Sequence, residues 1–140
     1  LCVIGGMAVH LMIGNLYLWG NITDYVVSYF YNLGDPHALP INAVIILPLS
    51  YTTQSCFNPV GAYFQKRVNP KLIMLVGFIV ALGALLCGSL CKQWRVFVFF
   101  QGALFPIGVG ILYWTPIMCG WEWFPNNKGL VSGLIIGAFG

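Results

Sequence analysis

The sequence has very little charge. Six lysines and arginines and three aspartates and glutamates make up 6% of its 140 residues, whereas soluble domains carry about 25% charged residues. The six basic residues are scattered and the formal net charge is only +3, which excludes nucleic acid as a partner. Hydrophobic residues make up 59% of the chain and its mean hydropathy is +0.86. This composition indicates a lipid bilayer, not water, as the surroundings of the chain.

The sequence also lacks the residue sets that metal sites and catalytic sites need. Its five cysteines lie in or next to apolar segments, are odd in number and show no metal-ligand spacing. The only acids are Asp24, Asp35 and Glu122, and no two of them share the core of one predicted helix. We therefore expect no metal, no cofactor and no catalytic residue. An intramembrane enzyme is the least favoured of the functions that we consider.

Long apolar runs fill most of the chain. A transmembrane helix needs roughly 20 predominantly apolar residues, and the sequence has four such runs and the start of a fifth. The predicted helices are 1–31, 41–64, 72–90, 96–119 and a truncated 129–140. The loops between them are short, so consecutive helices should be antiparallel neighbours. The sequence predicts an all-α, multi-pass membrane protein that forms a helical transmembrane bundle.

The distribution of basic residues predicts the orientation of this bundle. Lys66, Arg67, Lys71 and Lys128 lie on one side of the membrane, and Lys92 and Arg95 lie on the other. Loops rich in lysine and arginine tend to stay in the cytoplasm. We therefore predict that loop 65–71 is cytoplasmic, while the sequence does not indicate which cellular membrane holds the chain.

Polar residues recur at helical spacing within three of the predicted helices. The stripes are His10, Gly14, Tyr17, Asn21 and Asp24 in the first, Ser50, Gln54, Phe57, Gly61 and Gln65 in the second, and Gln101, Gly108, Thr115 and Cys119 in the fourth. Residues three and four apart share one helix face. Polar groups in hydrocarbon need a partner or water. Two interpretations stay open, namely hydrogen bonding between helices and a wet cavity for a substrate.

Three stretches resemble a known family. GAYFQKRVNPKL, residues 61–72, resembles the conserved loop between the second and third helices of the major facilitator superfamily, with Gln65 where that family has an acid. GNLYLWGNI and WFPNNKGLVSGLIIGAFG resemble the oxalate/formate antiporter branch, which neighbours the monocarboxylate transporters. The similarity runs along the whole chain. It implies the first four helices and part of the fifth of a twelve-helix transporter, an N-terminal fragment whose partner is the missing C-terminal half.

This resemblance implies a function. It indicates secondary active transport of a small organic anion, a mono- or dicarboxylate, by alternating access, with protons or a counter-anion as the coupled species. The alternative is a small four-helix membrane protein with a structural or adaptor role. The flanking gene sequence would distinguish the two, because only a transporter needs further apolar spans.

Candidate site residues follow from the polar stripes. Tyr17 and Gln54 lie near mid-depth of the first two predicted helices and Tyr113 lies on the fourth, so we predict that they bind the substrate, with Trp19 as an aromatic wall. His10 is a candidate for proton coupling because histidine titrates near neutral pH.

Glycine and basic residues form a second predicted group, with a role in gating or helix packing. Its members are Gly61, Lys66 and Arg67 around the second loop, and Gly129, Gly133 and Gly137 in the last predicted helix. The last three glycines recur at steps of four, which gives a helix one smooth stripe where another backbone can approach closely.

Overall fold

The computed structural model describes residues 2–139, and all regular secondary structure within them is helical, as the sequence predicts. The main helices are α1 (Cys2–Asn32), α2 (Ile46–Gln65), α3 (Pro70–Leu90), α4 (Trp94–Trp123) and α5 (Lys128–Gly137). A short helix, Pro40–Ala43, precedes α2. The predicted helix 41–64 is thus two helices. Pro48 has no N–H to donate to the carbonyl of Val44, which accounts for the break between them.

Three of these helices, α1, α3 and α4, are long and apolar enough to cross a membrane. Helix α2 has 20 residues, the length of a span, but it contains two glutamines, an asparagine and several hydroxyl side chains. Its buried residues include Ser50, Gln54 and Gln65. A helix this polar crosses a bilayer only when neighbouring helices cover its polar face. The chain is therefore an integral, multi-pass membrane protein in which α2 depends on its neighbours.

Helix α4 is the centre of the bundle, because it packs against α1, α2, α3 and α5, whereas α2 and α3 hardly touch each other. Two glycines allow this packing. A Cβ atom placed on Gly108 would lie 2.7 Å from the backbone nitrogen of Ala81 in α3. A Cβ atom placed on Gly110 would lie 2.8 Å from the carbonyl oxygen of Gln54 in α2. The backbones of three helices therefore approach closely along α4.

Helix α3 has two different faces. Its small residues Gly77, Ala81, Ala84 and Gly88 are buried towards α4 and its neighbours. Its large residues are exposed, among them Leu75, Ile79, Leu82 and Leu86. Exposed apolar side chains on a membrane helix are suited to lipid, so α3 forms an outer wall of the bundle.

Two helices contain irregular turns near their middle. Residues Gly14–Leu18 of α1 form a 3₁₀ turn, and residues Phe100–Leu104 of α4 form a π-helical turn. The carbonyl oxygen of Gln101, within the π turn, accepts a hydrogen bond of 3.4 Å from the Ser50 hydroxyl of α2. Irregular turns within long helices often mark functional positions.

At one end of the bundle, Asp35 ties the loop after α1 to the start of α4. Its carboxylate accepts hydrogen bonds from the backbone N–H groups of Trp94, at 2.7 Å, and His37, at 2.9 Å. These two bonds, together with the positive charges of His37 and Arg95, hold the pKa of Asp35 below its ordinary value. The two loops are thereby joined outside the membrane-spanning part of the chain.

Candidate functional site

A cavity of about 760 Å³ lies between α1, α2, α4 and the end of α5. Tyr17, Gln54 and Tyr113, which the sequence predicts as substrate-binding residues, all line it. The other lining residues are Tyr51, Ser55, Asn58, Trp114, Ile136 and Phe139. Helix α3 contributes nothing to the lining. Polar residues of three separate helices therefore meet around one volume.

The cavity wall offers neutral hydrogen-bonding groups. Tyr17, Tyr51 and Tyr113 bring hydroxyl groups, while Gln54 and Asn58 bring amides one helical turn apart on α2. The side-chain carbonyl oxygens of Gln54 and Asn58 are buried, and neither accepts a hydrogen bond from the described residues. Leaving such a group unpaired costs about 1–3 kcal/mol. Since an amide can turn to present either its oxygen or its N–H₂ group, this pair is suited to a polar occupant.

Aromatic rings close the cavity on the α1 side. Phe139 contacts both Tyr17 and Tyr113, with ring centroids 5.5 Å apart in each pair and the rings edge to face. Gly14 makes this contact possible, because a Cβ atom there would collide with the carbonyl oxygen of Phe139. No Asp, Glu, Lys or Arg of residues 2–139 lines the cavity. Within this part of the chain, the wall is polar and aromatic but uncharged.

His10 borders this wall without lining the cavity. Its ring is completely buried, 5.2 Å from the Tyr113 ring and 5.9 Å from the Phe139 ring, centroid to centroid. Its Nδ1 atom lies 3.1 Å from the carbonyl oxygen of Gly6. Its Nε2 atom has no hydrogen-bond partner among the described residues. Tyr113 and Phe139, which both line the cavity, therefore connect His10 to its wall.

Trp19 does not line the cavity, contrary to the sequence-based prediction. It is 3% exposed and lies 5.9 Å from the ring of Phe97. It belongs to an aromatic cluster that also contains Phe30 and Trp94. Residues two apart on a helix point to nearly opposite sides. Tyr17 and Trp19 therefore cannot both face the same cavity.

The polar stripe of α2 serves two purposes. Gln54 faces the cavity, whereas Gly61 packs against the backbone of Ile111 and Gln65 donates a 3.2 Å hydrogen bond to the carbonyl oxygen of Thr115. Hydrogen bonding between helices thus applies to Gln65, whereas the substrate-binding role of Gln54 stays a prediction. Gln65, which stands where the resembled loop has an acid, joins the end of α2 to α4.

The remaining predicted residues lie on open surfaces. Lys66 and Arg67 are exposed, and the Arg67 guanidinium sits 4.8 Å from the Tyr63 ring centroid. A Cβ atom on Gly129, Gly133 or Gly137 would meet no atom within 4 Å among the described residues. The role of this stripe in packing or gating therefore stays a prediction.

Sequence reasoning missed several residues of the cavity. Asn58 could have been found, because it follows Gln54 by four residues and so shares its helix face. Tyr51 and Phe139 carry no comparable signal. They reach the cavity only because of how α1, α2 and the end of α5 pack together.

The chain is similar to known membrane carriers. It is 28% identical over 174 residues to apicoplast pyruvate carrier 1 of Toxoplasma gondii, an alignment that covers 100% of the chain and 32% of that protein. It is 29% identical over 93 residues to the oxalate:formate antiporter of Oxalobacter formigenes, covering 66% of the chain and 22% of the antiporter. It is 30% identical over 79 residues to an MFS-type transporter of Aspergillus fumigatus, an alignment that covers 56% of the chain and 18% of that transporter. The chain is a homologue of major facilitator superfamily transporters.

These superfamily relatives are longer than the chain, which spans about a third of their length or less. They are named as a carrier, an antiporter and a transporter, in agreement with the prediction that the chain is not an enzyme. No protein-family model and no solved structure significantly matches it.

Proposed function

We propose that this chain forms part of the N-terminal half of a secondary transporter that carries a small organic anion, a mono- or dicarboxylate, by alternating access. One observation carries the proposal. Tyr17, Gln54 and Tyr113, on three different helices, line the same cavity. The names of two relatives, a pyruvate carrier and an oxalate:formate antiporter, support this substrate class.

The cavity suits one side of such a substrate. The hydroxyl groups of Tyr17 and Tyr113 and the amide of Gln54 can donate hydrogen bonds to carboxylate oxygens, while Phe139 excludes water beside them. These neutral groups would orient the anion without neutralising it. We propose that the missing C-terminal half supplies the compensating positive charge.

The backbone around the cavity fits a site that changes conformation. Tyr17 lies within the 3₁₀ turn of α1, and Pro59, next to Asn58, interrupts the hydrogen bonds of α2. Transporters often form their sites on such irregular helices near mid-membrane. We propose that the bundle rocks around this volume, with loop 65–71 on the cytoplasmic side and the glycine stripe of α5 against a moving neighbour.

We propose that protons or a counter-anion are the species coupled to transport. His10 supports proton coupling, because its ring is buried against Tyr113 and its Nε2 atom is unpaired among the described residues. A proton taken up there would add a positive charge directly behind the cavity wall, where it favours a bound anion.

Uptake measurements test the proposal. The full-length protein that contains this chain is reconstituted into liposomes, and the uptake of labelled pyruvate and oxalate is measured. We expect saturable uptake, and we expect Tyr17→Phe and Gln54→Leu each to raise the half-saturating concentration roughly tenfold to a hundredfold, since each removes one hydrogen-bond donor from the proposed contact with the substrate.

Val80→Leu is the control, because α3 contributes no residue to the cavity. It should leave uptake unchanged. If the two site variants behave like Val80→Leu, the cavity is not the substrate site. If the correctly inserted full-length protein shows no saturable uptake, the structural or adaptor role is favoured instead.

A further inference from the structure

A second, entirely apolar groove lies on the outside of the bundle between α2, α3 and α4. It encloses about 290 Å³. Its walls include Val60 and Phe64 of α2, Leu72 and Val76 of α3, and Ile111 of α4, and Val68 of the connecting loop closes one end. None of these residues lines the substrate cavity. The groove is therefore a separate feature, and it opens on the outside of the bundle that the described residues form.

Positive charge is concentrated at the loop end of this groove. Lys66 and Arg67 lie between the lining residues Phe64 and Val68, and both are exposed. No acidic residue occurs anywhere in residues 41–71. The Arg67 guanidinium stacks on the Tyr63 ring at 4.8 Å, which holds it at the end of α2. The loop at this end of the groove therefore carries two positive charges.

Lys71 does not add to this pair. It follows the loop in sequence, but it lines a different cavity together with Glu122, on the side of α3 that faces α1 and α4. The charge at the groove comes from Lys66 and Arg67.

We propose that this groove binds an acyl chain of an anionic phospholipid, whose phosphate pairs with Lys66 and Arg67. The combination of an apolar groove with adjacent cations matches the two parts of such a lipid. The acyl chain would cover the apolar walls, and the phosphate would give both cations a counter-charge. Charge complementarity therefore favours a lipid as the occupant, and a segment of the same protein is the alternative that the experiment below distinguishes.

The position of the groove gives the bound lipid a structural effect. Helices α2 and α3 hardly touch each other directly, and the groove lies between them with Gly61 and Ile111 of the α2–α4 contact among its lining residues. An acyl chain there would bridge α2 and α3. The bound lipid should therefore stabilise the arrangement of α2, α3 and α4.

Native mass spectrometry of the purified full-length protein tests the proposal. The protein is incubated with phosphatidylglycerol or with phosphatidylcholine of identical acyl chains, and retained lipid is counted at increasing lipid concentration. Each basic residue near an anionic headgroup contributes about fivefold, or roughly 25-fold for the pair. We expect wild type to retain phosphatidylglycerol in preference to phosphatidylcholine by up to that factor.

Two variants separate the two parts of the site. K66Q/R67Q should remove the preference for phosphatidylglycerol, and its control K92Q/R95Q, with the same change in charge at the opposite end, should keep it. V76W should fill the groove and lower retention of both lipids. Its control I79W places the same side chain one turn away on the lipid-facing side of α3, and it should retain lipid like wild type.

Three results would overturn the proposal. The first is equal retention of the two lipids by wild type, and the second is a V76W variant that retains as much lipid as I79W. The third is a crosslink that places another segment of the full-length protein in the groove. None of these results depends on transport, so the proposed function is judged separately.

Discussion

The contact between α3 and α4 predicts that one added methyl group destabilises the bundle. In Gly108→Ala, the new Cβ atom would lie 2.7 Å from the backbone nitrogen of Ala81 and 2.9 Å from the carbonyl oxygen of Gly77. Both are backbone atoms of α3, which cannot turn aside as a flexible side chain can. The two helices must therefore separate.

The expected cost follows from two opposing effects. Overpacking a close contact costs typically about 1–3 kcal/mol, while replacing glycine by alanine inside a helix gains about 1 kcal/mol. We expect a net loss of up to about 2 kcal/mol for Gly108→Ala. Gly83→Ala is the matched control on α3, because a Cβ atom there would meet nothing within 4 Å. It should be neutral or stabilising, since only the helix-propensity gain applies.

Thermal unfolding of the detergent-solubilised full-length protein measures both variants. Gly108→Ala should lower the melting temperature by several degrees, and Gly83→Ala should leave it unchanged or raise it. If Gly108→Ala is as stable as Gly83→Ala, the backbones of α3 and α4 do not approach each other closely at Gly108.

Two further predictions concern titratable residues. His10→Gln should abolish the pH dependence of uptake by the full-length protein, because the proposed proton site beside Tyr113 is lost, whereas an unchanged pH profile would assign His10 to packing. Asp35→Ala should lower thermal stability at neutral pH by removing the bonds to the N–H groups of Trp94 and His37. The pKa of Asp35 is lowered in the folded protein, so this stabilisation is present above about pH 4 and is lost as the pH falls through the folded pKa. The melting temperatures of the variant and the wild type should therefore converge in acid. A difference that stays constant down to low pH would show that the Asp35 charge is not involved.

The sequence predicted the helical bundle and three cavity residues because both rest on local patterns. Apolar runs define the helices whatever their neighbours are. Tyr17 and Gln54 were found because polar residues recur along one face of each helix. Trp19 packs on Phe97 and does not line the cavity, and an aromatic residue gives no local sign of whether it faces a cavity or another ring.

Other features could not be predicted, because they depend on which helices become neighbours. A Cβ atom at position 108 or 110 would meet the backbone of α3 or α2, whereas a Cβ atom at 129, 133 or 137 would meet nothing within 4 Å among the described residues. Both sets nevertheless read as small residues in apolar helices. The role of Phe139 depends on how the end of α5 meets α1. Packing of this kind is decided by the whole bundle and not by any one segment.

The π-helical turn at Phe100–Leu104 affects how far α4 can tolerate a change in length. The backbone N–H of Phe105 bonds to the carbonyl of Phe100, five residues back, so this turn accommodates one residue more than an ordinary turn. Deleting a residue elsewhere in α4 would rotate one part of the helix against the other by about 100°. The backbone N–H of Trp94 would then lose its hydrogen bond to Asp35, or Gly108 would turn away from its contact with α3. A one-residue deletion inside the π-helical turn would instead convert it to a regular α-helical turn, and both contacts would stay in place. A one-residue deletion in α4 should therefore be tolerated at this turn and not along the rest of the helix.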